Sequence, residues 1–114
     1  MAKFNLNALT QPTMELIMRD EQQTTLHLVC PSEKLVERLQ EGMTELKEIL
    51  DKKDKASIDA CYKLAADLIS ENEERVTVTA DELRNKYGFN SDLILVMFFK
   101  AYMDFIAELN NAKN

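Results

Sequence analysis

Between Leu93 and Leu109 the chain reads LILVMFFKAYMDFIAEL, the densest run of large apolar side chains in its 114 residues. Only Lys100, Asp104 and Glu108 interrupt it with charge, and they stand four residues apart. On a helix that spacing places them in one line, because residues i and i+4 are vertical neighbours. Opposite the line fall Leu95, Phe98, Phe99, Tyr102, Phe105, Ile106 and Leu109, a face wide enough for the middle of a core. Continued toward the N-terminus at about 100° per residue, the polar line meets Leu93, Val96 and Met97 where charges would be expected. A helix that is apolar all round must be covered all round, by its own chain or by a partner. A long C-terminal helix starting at Ser91 therefore fixes what the rest must do.

A chain of 114 residues makes one domain, 1–114, and at this size it buries roughly two-thirds of its unfolded surface without needing a disulfide or metal. Two glycines and two prolines favour long regular elements, so helix should dominate. A net charge of −6 repels nucleic acid and anionic lipid, so a protein partner is expected, with no nucleic acid and no membrane. The seven apolar residues Leu93 to Phe99 fall far short of a membrane span, and MAKFNLNALT holds no signal-peptide core. The expected compartment is the cytoplasm. Cys30 and Cys61, without CxxC spacing, read as reduced core residues.

In residues 1–12 Phe4, Leu6 and Leu9 alternate loosely before Gln11-Pro12, giving either an edge strand or an arm. Residues 13–30 read as a hairpin: Met14, Leu16 and Met18 share one strand face, Leu26, Leu28 and Cys30 another. The polar Asp20 to Gln23 lacks a tight-turn signal, so a longer connection is expected. The helical part spans 32–109. Ser32 can cap a helix carrying Leu35, Val36, Leu39, Met43, Leu46 and Leu50, with Gly42 marking a close crossing. After a polar turn, Asp54 can cap a second helix with Ile58, Cys61, Tyr62, Ala65, Leu68 and Ile69 on its stripe, and the two should pack antiparallel. Ser70 to Arg75 reads as a solvated break. Thr79 to Glu82 matches a capping box, opening a short helix to Tyr87 that Gly88 ends in a left-handed conformation. The fold class is mainly α (α+β): an N-terminal β-hairpin followed by a four-helix domain, with the long apolar C-terminal helix as the central packing element.

Catalytic chemistry finds little material. His27 is the only histidine, on the polar side of its strand, and reads as a surface residue. No glycine-rich phosphate loop is present, and Glu71, Glu73 and Glu74 follow no ordered cation-loop pattern. No enzyme, cofactor or metal is expected. Methionine favours surfaces that accept varied helices. Leu93, Val96 and Met97 are accordingly the candidate partner-binding residues, able to take an amphipathic helix from another chain or to pair two copies of this one.

The second half resembles a known group on three pieces of sequence. IDACYKLAADLISEN is similar to a helix ending in an Ile-Leu-Asn-Arg-Asn type of segment, here Leu68-Ile69-Ser70-Glu71-Asn72, where the segment after Ser70 lacks the Asn of that pattern. VTVTADEL, Val76 to Leu83, follows, and then FFKAYMDFIAEL, Phe98 to Leu109, with its Ala-Tyr-Met-x-Phe-Ile core. These resemble the tail assembly chaperones of long-tailed phages and prophages of low-GC bacteria. The resemblance implies a non-enzymatic protein of the bacterial host cytoplasm that binds the long tape measure protein, and other tail proteins, during virion morphogenesis. It also implies a longer form made by translational frameshifting, and Ala112-Lys113-Asn114 is compatible with the codons GCA AAA AAC, which contain a slippery heptamer. The alternative reading is a small acidic antitoxin or adaptor whose C-terminal helix covers one partner.

Overall fold

The computed structural model describes residues 13–52 and 55–112, with side chains at 13–42 and 55–109. The hairpin comes first. Strand β1, Met14–Ile17, pairs antiparallel with β2, Thr25–Leu28, with Met14 opposite Leu28 and Leu16 opposite Leu26. Their connection is the longer type expected. Gln23 N–H donates to Asp20 O at 3.1 Å, the Asp20 carboxylate accepts from the Thr24 N–H at 2.7 Å and from the Thr24 hydroxyl, and Gln23 adopts φ 49°. Leu26, Leu28 and Met18 are buried. Cys30 is exposed, which corrects its expected place in the core: β2 ends at Leu28, so the alternation that would turn Cys30 inward stops before reaching it. Cys61 is buried, as expected, and the two cysteines form no disulfide with each other.

Ser32 caps helix α1, Glu33–Lys52, accepting the Leu35 N–H on its Oγ at 3.3 Å. Leu35 and Leu39 are buried, while Met43, Leu46 and Leu50 have side chains outside the described residues, as does the whole of Asp54. Helix α2, Lys55–Ile69, packs on α1, and an Arg38–Asp67 ion pair at 2.8 Å ties the two. Gly42 lies at that crossing, where an added Cβ would stand 3.1 Å from Leu64 Cδ2.

Helix α3, Ala80–Asn85, opens on the capping box: Thr79 Oγ1 accepts the Glu82 N–H, and the Glu82 carboxylate accepts the Thr79 N–H. It stops two residues short of the expected Tyr87. Tyr87 N–H turns back to Glu82 O at 2.9 Å and Phe89 N–H to Leu83 O at 2.8 Å, with Gly88 between them at φ 88°. That left-handed stop is the one the glycine predicts. Helix α4, Asp92–Ala112, begins under Ser91, whose Oγ accepts the Ile94 N–H at 3.4 Å.

Helices α2 and α4 together supply most of the buried core. Helix α2 touches α1, α3, α4 and β2, and its Leu64 and Ala66 are buried in addition to the expected Cys61, Tyr62, Ala65, Leu68 and Ile69. Small residues allow this, because Ala65 and Ala66 let neighbouring backbones approach from two sides. From α4 the face Leu95, Phe98, Phe99, Tyr102, Phe105 and Leu109 is buried as expected, with Ile106 packed at the margin. With Phe89 from the preceding loop its rings form a chain: Phe89–Phe98 at 5.8 Å, Phe98–Phe99 at 5.6 Å and Tyr102–Phe105 at 5.8 Å are edge-to-face, a geometry that aromatic quadrupoles favour, and a tilted Phe98–Tyr102 pair at 5.7 Å joins them. The Tyr62 hydroxyl donates to Phe89 O at 3.1 Å, and the Arg84 guanidinium lies 4.0 Å over the Tyr62 ring while pairing with Asp59 at 2.6 Å. These contacts seat α3 and the start of α4 against α2.

Candidate functional site: an apolar cleft between the hairpin and the last helix

The first half of α4 is left uncovered where the sequence leaves it apolar. Leu93 is 67% and Met97 61% exposed, and Val96 is half-buried. The three do not stand alone, because Ile17 on β1 is 56% exposed and lines with Met97 a cleft of about 240 Å³. Leu16 and Met14 from β1, and Ile94, Phe98 and Ala101 from α4, complete its apolar wall. At one end Arg19 meets Tyr87 and Gly88, and the Arg19 N–H donates to Tyr87 O at 3.1 Å. Gly88 is required there: an added Cβ would stand 2.5 Å from Arg19 Cβ. Ile17 is the contributor sequence reasoning missed. Its only sequence signal was an apolar residue on the polar parity of a strand that otherwise alternates.

The backbone of the hairpin decides which strand edge remains open. Met18 N–H donates to Thr24 O at 2.8 Å, so in this register residues 14, 16 and 18 turn their peptide groups toward β2, while 15, 17 and 19 turn theirs away. On β2 the outer groups are taken. His27 O accepts the Glu73 N–H at 2.9 Å and Val29 N–H donates to Glu71 O at 3.0 Å, with an antiparallel bridge between Leu28 and Asn72. The stretch Ser70 to Arg75, expected as a solvated break, is thus a built loop that covers β2. Buried Asn72 holds it: its amide donates to Ile69 O at 2.7 Å and Val76 O at 2.8 Å, and its carbonyl accepts the Val76 N–H at 2.9 Å. Ser70 Oγ adds bonds to Ala66 O and to both backbone groups of Val78. On β1, by contrast, the outward groups of Glu15 and Ile17 meet no described residue.

His27 is more than a plain surface side chain. One carboxylate, Glu74, takes both its backbone N–H at 2.7 Å and its Nδ1 at 2.6 Å, and Nε2 faces Glu15 at 3.7 Å. The hydrogen bond to Glu74 and the surrounding carboxylates raise the His27 pKa above its ordinary value, and the same bonds lower that of Glu74. His27, Glu73 and Glu74 each bring a ligand atom within 4.8 Å of the others. The Glu74 oxygens are committed to His27 N–H groups, however, so the arrangement reads as a clasp holding the loop on β2. No described helix is long and apolar enough to cross a membrane. Comparison of the chain with protein-family models, with curated proteins and with solved structures finds no match.

Proposed function

We propose that the protein is a tail assembly chaperone, which holds apolar segments of a tape measure protein on the cleft lined by Ile17 and Met97 and on the exposed Leu93 one turn before Met97 on α4. The observation that carries this reading is the uncovered first half of α4, where large apolar side chains are presented by a helix whose opposite face is locked in the core. The sequence resemblance around Phe98 to Leu109 supplies the partner's identity. Binding of this kind needs no chemistry: burying apolar surface contributes about 25 cal/mol per Å², and several copies along one long partner add avidity. The acidic surface, −6 overall, keeps such complexes apart in solution. Co-expression with the tape measure protein of the same phage or prophage tests it. The chaperone should raise the soluble yield of that protein and co-purify with it, and an unchanged yield would rule the proposal out.

A further inference from the structure

A second cleft, of about 370 Å³, lies between α1 and the end of α4 and shares no lining residue with the one beside β1. Its apolar floor comes from both helices: Val36 and Ile106 are half-buried and Leu109 is buried. Its α1 rim is acidic, carrying the exposed side chains of Glu33 and Glu37. The exposed Cys30, just ahead of α1, also lines it. We infer that this groove docks a basic amphipathic helix of a partner protein, which lays its apolar stripe on Val36, Ile106 and Leu109 and sets lysines or arginines against Glu33 and Glu37.

The walls favour a helix as occupant. Helices α1 and α4 both pack on α2, so the groove between them offers rows of helical side chains on two sides, the surface into which the ridges of a further helix fit. The charges select its sign. Glu33, Glu37 and Glu41 stand four residues apart on α1, a line of like charges that lowers the stability of a helix. Glu33, in the first turn, suits the helix dipole, whereas Glu37, in the second, gains little from it. Neither Glu33 nor Glu37 has a cation within ion-pair distance among the described residues, although Arg38 and Arg84 of neighbouring surfaces are both paired. Two carboxylates left unmatched beside an apolar floor complement a helix whose own cations recur one turn apart, about 6 Å along its axis. A second copy of the chain fits poorly, because a molecule of net charge −6 approaches this rim against repulsion. The inference does not rest on the tape measure reading, which concerns the other cleft.

The probe is the helical peptide LKKLLKLLKKLLKL, with LEELLELLEELLEL as its acidic counterpart, added to the full chain. Cys30 is exposed and Cys61 buried, so the rate of reaction with a thiol reagent reports on the groove. The lysine peptide should bind and slow Cys30 labelling at least about threefold, and the glutamate peptide should do neither. E33Q/E37Q should weaken binding about threefold to tenfold, while E21Q/D81N, which removes the same charge elsewhere, and L93D/M97D should leave it unchanged. Binding of both peptides alike, or labelling of Cys30 that bound peptide does not slow, would overturn the inference. Equal weakening by E21Q/D81N would also overturn it, in favour of general attraction to an acidic surface, and loss of binding in L93D/M97D would do so in favour of the other cleft. Should E33Q/E37Q lower the thermal midpoint, Cys30 labelling of the wild type with the two peptides decides alone.

Discussion

His27 and Tyr102 are the two side chains whose surroundings make the sharpest single-residue predictions. The His27 pKa is raised and the Glu74 pKa lowered, the hydrogen bonds between them being the largest cause in each case. A raised histidine stabilises the fold fully below its unfolded value of 6.5, and that contribution is lost as pH rises through the folded value. A lowered carboxylate stabilises above its unfolded value of 4.5, and that is lost as pH falls through the folded value. The clasp is therefore tightest between those two pH values. Proton NMR of the imidazole should give a wild-type pKa above 6.5 that returns toward the ordinary value in Glu74→Gln; an unmoved pKa would mean the clasp is not formed. Tyr102 is fully buried, and its hydroxyl has no hydrogen-bond partner among the described residues, so burial pushes its pKa up. An unsatisfied buried hydroxyl costs about 1–3 kcal/mol. Tyr102→Phe should accordingly leave stability unchanged or raise it by about 1 kcal/mol in denaturant titration, and a loss of that size would show a bonded hydroxyl.

At the scale of elements, what could be read from the sequence was local and what could not was long-range. The capping box at Thr79 and Glu82, the Ser32 cap, the Gly88 stop and the buried face of α4 each depend on residues within a turn or two of one another, so spacing alone identifies them. The cover on β2 does not, because His27 and Glu74 are 47 residues apart and SENEER carries no strand pattern. The several neighbours of α2 were hidden for a related reason: Ala65 and Ala66 signal close approach only once those neighbours are known. Asn72 is the element-scale test. Its side chain satisfies Ile69 O, Val76 O and Val76 N–H, and Asn72→Ala leaves all three to be resolvated or buried unpaired. A loss of about 2–3 kcal/mol is expected, with faster amide exchange at Val29 and Glu73; unchanged exchange there would separate Asn72 from the loop. Gly88→Ala, strained by its positive φ and by Arg19, should destabilise by at least about 1 kcal/mol, and an equally stable variant would show that the Arg19 contact yields.

For the whole molecule, one helix carries both a face locked in the core and an exposed apolar stretch. Phe99 is buried and tied into the aromatic chain, so Phe99→Ala should cost about 3–5 kcal/mol. Leu93 and Met97, on the same helix, stand in solvent, so charged replacements there should change stability by no more than about 0.5 kcal/mol. The candidate site was half legible in the sequence. Leu93, Val96 and Met97 followed from the helical period, whereas the part played by Ile17 and the β1 edge required the packing of hairpin against helix. The measurement that bears most directly on the account is the soluble yield of the tape measure protein co-expressed with wild type, with L93D/M97D, and with the exposed α2 control Lys63→Asp. With thermal unfolding of all three proteins alike, wild type and K63D should support the partner and L93D/M97D should not. Equal support from L93D/M97D would place recognition on another surface and contradict the account.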